Sequence, residues 1–188
     1  RVVGILRTFN DNLADKVTCE ELKVLWGRDY YLEEILGLQF KVSAFSFFQT
    51  NVEAVERLYS EAIGLVDDVS GKTVFDLYCG TGTISQILAL RAREVMGVEI
   101  VEEAVRAAEN NARINGLDNC HFLCGDVFEV LDRTAKRPDV IVVDPPRVGM
   151  SLKAVEKIIG YGVPQIVYIS CNPKTLAINL QQFAYGGY

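Results

Sequence analysis

The side chain in this sequence best suited to attacking a substrate is the cysteine of Ser170-Cys171-Asn172-Pro173. An apolar run, Gln165 to Ile169, leads into it and reads as a buried strand. Asp144-Pro145-Pro146-Arg147 follows a second such run, Val140 to Val143, and Asp76-Leu77-Tyr78-Cys79-Gly80-Thr81-Gly82 follows a third, Thr73 to Phe75. In a parallel α/β sheet, residues just past the carboxyl ends of the strands gather along one edge. A glycine turn, an acid and a thiol are therefore expected on one rim, as a cofactor site beside a cysteine nucleophile. Pro173 suits the first position of a helix. The amino end of that helix would favour a thiolate beside it. The plainer account of Cys171 is a buried structural cysteine, as most free cysteines are.

The glycine turn points to a nucleotide-like ligand. Gly80 and Gly82 would let backbone approach a ligand and let a helix start close by. A dinucleotide fingerprint would want glycine at 85, where Ser85 stands. The next strand ends Gly97-Val98-Glu99, and a carboxylate there can accept hydrogen bonds from ribose hydroxyls. Gly125-Asp126 follows the third strand, where a side chain could reach an adenine edge. Acids at both places fit S-adenosylmethionine better than a pyrophosphate cofactor. Asp76 and Asp144 could balance a sulfonium charge, whereas a pyrophosphate wants basic groups or helix amides. The bland alternative makes these loop glycines and helix-capping acids. Cys79 reads as lining the cofactor turn, and Cys120 and Cys124 as core or edge residues. With His121 alone to join them, no zinc arrangement is formed, so no metal is expected. Phe45, Phe47 and Phe48 precede Gln49. They read either as a core cluster between domains, or as Phe47 stacking on a base while Gln49 hydrogen-bonds cofactor or base.

The elements that must position these groups follow from periodicity. Strands are expected at 73–77, 94–98, 120–124, 139–143 and 165–169, alternating with helices at about 82–91, 101–115, 126–133, 151–160 and 173–183. Short apolar strands alternating with helices imply a parallel sheet covered on both faces. An amphipathic helix is expected over 51–64, and residues 1–51 alternate in short runs that read as a small antiparallel sheet. The 188 residues are 49% hydrophobic and 23% charged, ordinary globular composition. No apolar run is long enough to span a bilayer. The five cysteines lack disulfide-like spacing, which suggests reduced thiols and a cytosolic, cytoplasmic setting. The net charge of −6 argues against unaided tight binding of nucleic acid. The start, Arg1-Val2-Val3-Gly4, reads as an excised piece rather than a natural terminus.

Phe47-Phe48-Gln49-Thr50-Asn51, Asp76 through Thr83, Gly97-Val98-Glu99, Asp144-Pro145-Pro146-Arg147 and Ser170-Cys171-Asn172-Pro173 occur in an order that resembles the S-adenosylmethionine-dependent RNA uracil-C5 methyltransferases. Gly27-Arg28-Asp29-Tyr30 also looks like that family's central-domain hairpin. The resemblance covers essentially the whole chain. It implies a Rossmann-like methyltransferase domain, doubly wound and mainly parallel, over 51–188, incomplete at its carboxyl end. Part of a small antiparallel β domain would precede it over 1–50. It implies methyl transfer to carbon 5 of a uridine in rRNA or tRNA, with Cys171 as nucleophile. Gln49, Tyr78, Glu99 and Asp144 match positions that bind S-adenosylmethionine, and Thr83 and Asp126 align with weaker ones. Phe47 aligns with an aromatic near the target uracil, and Arg147 would lie beside the ring. RNA is the implied partner, and a monomer is expected.

Relatives usually carry a further carboxyl-terminal segment with a glutamate general base, so the base is left unassigned and this piece is expected to be slow or stalled after methyl transfer. Many also carry an amino-terminal RNA-binding barrel. Two rivals stand beside this reading. An amino-group methyltransferase would use an Asn/Asp-Pro-Pro-aromatic turn, but Arg147 replaces the aromatic. A non-catalytic S-adenosylmethionine-binding module would need no thiol. Which RNA and which uridine are modified is not written in this stretch of sequence.

Overall fold

The computed structural model describes residues 2–9, 21–44, 46 and 48–188. Phe45, Phe47 and Cys19 fall outside the described residues. Four strands come first, as two antiparallel ribbons: β1 (Gly4–Phe9) with β2 (Glu21–Gly27), and β3 (Tyr30–Ile35) with β4 (Leu38–Ser43). The sequence suggested one small sheet with a hairpin at Gly27-Arg28-Asp29-Tyr30. Those residues instead link one ribbon to the other. Gly27, at φ 71, pairs with Gly4, and the Arg28 N–H bonds the Val3 carbonyl at 3.1 Å. The positive φ turns the chain away so that Tyr30 pairs with Ser43. The true hairpin turn is Leu36-Gly37, with φ of 50 and 81, the doubly positive geometry that matches strand twist.

The rest alternates as expected. After α1 (Val52–Gly64), capped by the Asn51 side chain, come β5 (Thr73–Leu77), α2 (Thr83–Ala89), β6 (Glu94–Glu99), α3 (Glu102–Ile114) and β7 (Cys120–Cys124). Then follow α4 (Val127–Arg133), β8 (Val140–Val143), α5 (Leu152–Gly160), β9 (Ile166–Tyr168) and α6 (Pro173–Tyr185). The five later strands form one parallel sheet in the order β7-β6-β5-β8-β9. From β5 the winding goes one way to β6 and the other way to β8. That reversal opens a crevice at the carboxyl ends of β5 and β8.

Both faces of this sheet are covered, which is why its strands read as continuous apolar runs. Val74, Val140 and Val142 face a core shared with α1, α2, α3 and the β3–β4 ribbon, including Ile35, Phe40, Val55 and Tyr59. Phe75, Leu77, Ile141 and Val143 face the other core, with Leu131, Val155, Ile158 and Phe183. The β3–β4 ribbon is thus packed into the main core, whereas Ile5, Leu25 and Trp26 of the first ribbon are exposed. No helix among the described residues is long and apolar enough to cross a membrane.

Two asparagines on α3 hold the β4 edge. The Lys41 N–H donates to Asn111 Oδ1 and the Gln39 N–H to Asn115 Oδ1, both at 2.8 Å, and Asn115 Nδ2 returns a bond to the Gln39 carbonyl at 2.9 Å. Side chains thereby replace a neighbouring strand along this edge. Asn111 is buried. Asn111→Leu removes the partner of the part-buried Lys41 N–H and is expected to cost about 1–3 kcal/mol. A lower urea midpoint with faster amide exchange at Lys41 is the expected result; an unchanged midpoint contradicts it.

Candidate active site

The parallel ladders run one residue beyond the strands and fix the loops that follow. The Tyr78 N–H bonds the Val98 carbonyl at 2.9 Å, the Asp144 N–H bonds the Leu77 carbonyl at 3.2 Å, and the Ile169 N–H bonds the Val143 carbonyl at 2.9 Å. Three loop starts are therefore held side by side. Tyr78 has φ 66, a left-handed conformation that costs a non-glycine residue about 1–3 kcal/mol and tends to occur at working sites. Gly82, at φ 75, caps α2, and a Cβ there would sit 2.7 Å from the Phe122 ring and 2.9 Å from Ala108 Cβ. Only glycine lets this turn lie so close to the elements beneath it.

A cleft of about 900 Å³ opens over these loops. Gln49, Tyr78, Thr83, Glu99, Asp126, Asp144, Arg147 and Cys171 all line it. These eight candidates thus meet in one place, whereas Asp76 does not line the cleft and Phe47 lies outside the described residues. Glu99 bridges two loops, its Oε2 accepting from the Gly80 N–H at 3.0 Å and its Oε1 from the Val101 N–H at 2.9 Å. Asp126 both lines the cleft and caps α4, accepting from the Phe128 N–H at 2.9 Å. The two readings of that acid, ligand contact and cap, are therefore compatible. Gln49 shares the lining with Tyr59, whose hydroxyl is pushed up to about 12 by burial and by the nearby Asp144 and Asp76 carboxyls.

The thiols divide by exposure. Burial drives the Cys79 thiol well above its ordinary range and the Cys120 thiol to about 12, which keeps both protonated. Cys171 is exposed in the cleft wall. Two residues on, Pro173 opens α6, and the Asn172 cap accepts from the Lys174 N–H at 3.1 Å. The buried-cysteine account of residue 171 does not hold. Cys124 is exposed and Cys120 buried, at the two ends of β7. His121 is exposed with Nε2 3.6 Å from Glu94 Oε1.

The two acids also divide. Asp144 stands in the cleft wall, and burial lifts its carboxyl to about 6. Asp76 is fully buried within β5 and is not a lining residue. Its Oδ2 accepts from Ser85 Oγ at 2.5 Å, and its Oδ1 has no partner. Burial raises it to about 7, the Ser85 hydrogen bond opposing and Asp144 adding. Ser85, noted in the sequence only as a missing glycine, is the partner of this acid. Sequence reasoning also missed the apolar wall formed by Phe48, Ile100 and Val101. The available signal was two bulky apolar residues directly after the strand-ending Glu99. They remain 64% and 53% exposed, where a turn would ordinarily be polar.

An acid raised from 3.8 to about 7 makes the folded chain hold a proton that the unfolded chain has already released. Stability contributed by Asp76 is therefore largest below pH 4. It falls as pH rises toward 7, by at most roughly 1.4 kcal/mol for each pH unit crossed. Urea unfolding of the wild type is expected to show a declining midpoint between pH 5 and 7. Asp76→Asn should flatten this decline, and an equal slope in both proteins contradicts the assignment.

Comparison with known proteins agrees with the geometry. The family model described as tRNA (uracil-5-)-methyltransferase matches residues 17–186. An uncharacterized RNA methyltransferase of Caldanaerobacter subterraneus subsp. tengcongensis is 53% identical over 187 residues, covering 100% of this chain and 42% of that protein. A second, from Clostridium tetani, is 51% identical and is covered over 41% of its length. The chain thus spans about two fifths of the length of these relatives. The solved Pyrococcus abyssi tRNA (uracil-54, C5)-methyltransferase, in complex with S-adenosyl-L-homocysteine, superposes with a TM-score of 0.84 at 30% identity, covering 97% of this chain and 44% of that one. The sheet order, the rim of loops and the matched residues 17–186 together show that this chain belongs to the tRNA (uracil-5-)-methyltransferase family.

Proposed function

We propose that the protein transfers a methyl group from S-adenosylmethionine to carbon 5 of a uridine in tRNA or rRNA, through a covalent bond to Cys171. The observation that carries this is the exposed Cys171 thiol in the same cleft wall as Tyr78, Glu99 and Asp144. The lining fits the cofactor. Phe48, Ile100 and Val101 offer an apolar wall for a purine, Glu99 an acceptor for ribose hydroxyls and Asp144 a counter-charge for a cation. When bound, the cofactor supplies a sulfonium methyl that carbon 5 can take. Carbon 5 of uracil is a poor nucleophile on its own. The Cys171 thiolate adds to carbon 6, and the displaced electron pair makes carbon 5 an enolate carbon. After methylation, carbon 5 loses its proton to a base, the double bond re-forms and the bond from carbon 6 to the Cys171 sulfur breaks. Arg147, on the loop beside Cys171, orients the ring. The base must leave its stack to enter such a cleft. With a net charge of −6, RNA affinity rests on a local patch or on the remainder of the longer protein.

In a full-length protein carrying this chain, Cys171→Ala should abolish both 5-methyluridine formation and the covalent adduct with 5-fluorouridine RNA, while S-adenosylhomocysteine binding stays near wild type. An adduct that persists in Cys171→Ala contradicts the reading, and a methylated exocyclic amine would favour amino-group chemistry instead. Asp144 gives a second test. A bound cation favours its ionised form, so cofactor affinity should rise as pH climbs through about 6 and level off above it. Asp144→Asn should lose both that rise and about tenfold in affinity at pH 8. A pH profile shared by wild type and variant contradicts the role.

A further inference from the structure

The loop from Asp144 to Met150 and the helix that follows Cys171 are bound together by one buried amide. Asn179, on α6, is only 3% exposed. Its Oδ1 accepts from the Met150 N–H at 2.9 Å and from the Tyr168 hydroxyl at 2.9 Å. Its Nδ2 donates to the Met150 carbonyl at 3.1 Å and to Gln182 Oε1 at 2.9 Å. Two lone pairs and two protons are all an amide has, so every hydrogen-bonding position is used. The same two segments meet again nearer the thiol, where Asn172 Nδ2 at 2.8 Å and Thr175 Oγ1 at 3.2 Å both donate to the Arg147 carbonyl. Gly149, at φ 75, lets them close: a Cβ there would stand 2.8 Å from Asn179 Oδ1 and 3.0 Å from Thr175 Cβ.

We infer that Asn179 is a positioning residue, which holds the loop of Asp144 and Arg147 at a fixed distance from Cys171 by clasping Met150 on one side and Tyr168 on the other. Tyr168 ends β9, three residues before the nucleophile. Its hydroxyl, raised to about 12 by burial, by Asp144 and by Cys171, stays a donor at any working pH. One side chain thereby spans both arms of the cleft, one bearing the counter-charge and the ring-orienting arginine, the other the attacking sulfur. Asn179 itself is not among the residues that line the cleft. The inference rests on the cysteine mechanism proposed above.

The test compares Asn179→Ala, Gly149→Ala and Tyr168→Phe in a full-length protein carrying this chain. Three readouts are followed: the rate of covalent adduct formation with 5-fluorouridine RNA, the dissociation constant for S-adenosylhomocysteine, and the melting temperature. Asn179→Ala and Gly149→Ala should each slow adduct formation by about tenfold or more, since small misplacement of a reacting group is costly. S-adenosylhomocysteine lacks the sulfonium charge that Asp144 would balance, and the other lining residues proposed to hold it, on the loops after β5 and β6, lie outside the clasp, so its binding should stay within about twofold. Tyr168→Phe removes one bond of the four without opening a cavity, and should slow the adduct by a few fold. Adduct formation at the wild-type rate in the folded Tyr168→Phe and Asn179→Ala proteins overturns the inference. So does a loss of S-adenosylhomocysteine affinity in step with the adduct rate, which would mark general loosening. A wild-type protein that forms no adduct overturns the mechanism beneath it, a result distinct from a wild-type protein that reacts and variants that react equally well.

Discussion

The parallel pairing of β5 with β8 is the constraint on which everything else depends. Asp76 lies beside Val142 and Leu77 beside Val143, so the next residue on each strand, Tyr78 and Asp144, emerges at the same height. The ladder continues into the loop through the bond from the Asp144 N–H to the Leu77 carbonyl. β9 joins in the same register, with Val143 beside Tyr168. A slip of one residue in any of these strands would send its side chains to the opposite face. It would also move an acid or the thiol away from the rim. Two apolar layers, each alternating along β5 and β8, hold that register by burial on both sides.

The site places its unfavourable features where the packing can hold them. Asp76 occupies a fully buried strand position, with one oxygen lacking any partner and the other given only Ser85. Tyr78 follows it in a left-handed conformation. Both are costs, and both sit beneath the cleft rather than at the periphery. The Asp144 and Glu99 carboxylates add to the effect of burial on Asp76, since each disfavours a further negative charge nearby. Such a cluster is matched to a cationic ligand, whose arrival would relieve the repulsion. A pyrophosphate in the same place would deepen it.

The parallel sheet was legible in the sequence because each of its strands is buried on both faces and so is written as an unbroken apolar run. The rim was legible for a related reason: glycines, prolines and acids stand directly after those runs, where the chain must turn. The asparagine clamps on β4 and on Met150 were not legible. Asn111, Asn115 and Asn179 look like ordinary polar residues on helices, and only the fold brings each one against the backbone of a distant segment. The split into two ribbons was hidden as well. It turns on the φ of Gly27, which a turn within one sheet and a link between two would both accept. Asp76 could be read as an acid near the cofactor, but whether it faced ligand or core depended on the pleat, which alternation alone does not fix in a fully buried strand.

In the function proposed above, this chain supplies the rim at which a uridine would react, and RNA affinity would come from other surfaces. The net charge of −6 is the observation behind that division of the proposed work. The most direct test of that division is mass spectrometry of nucleosides and mapped fragments from tRNA and rRNA of cells lacking the full-length protein. The account predicts that 5-methyluridine disappears from one defined site and returns when the intact gene is restored. An unchanged set of 5-methyluridines, or loss of a methyl group from some other atom, would contradict it.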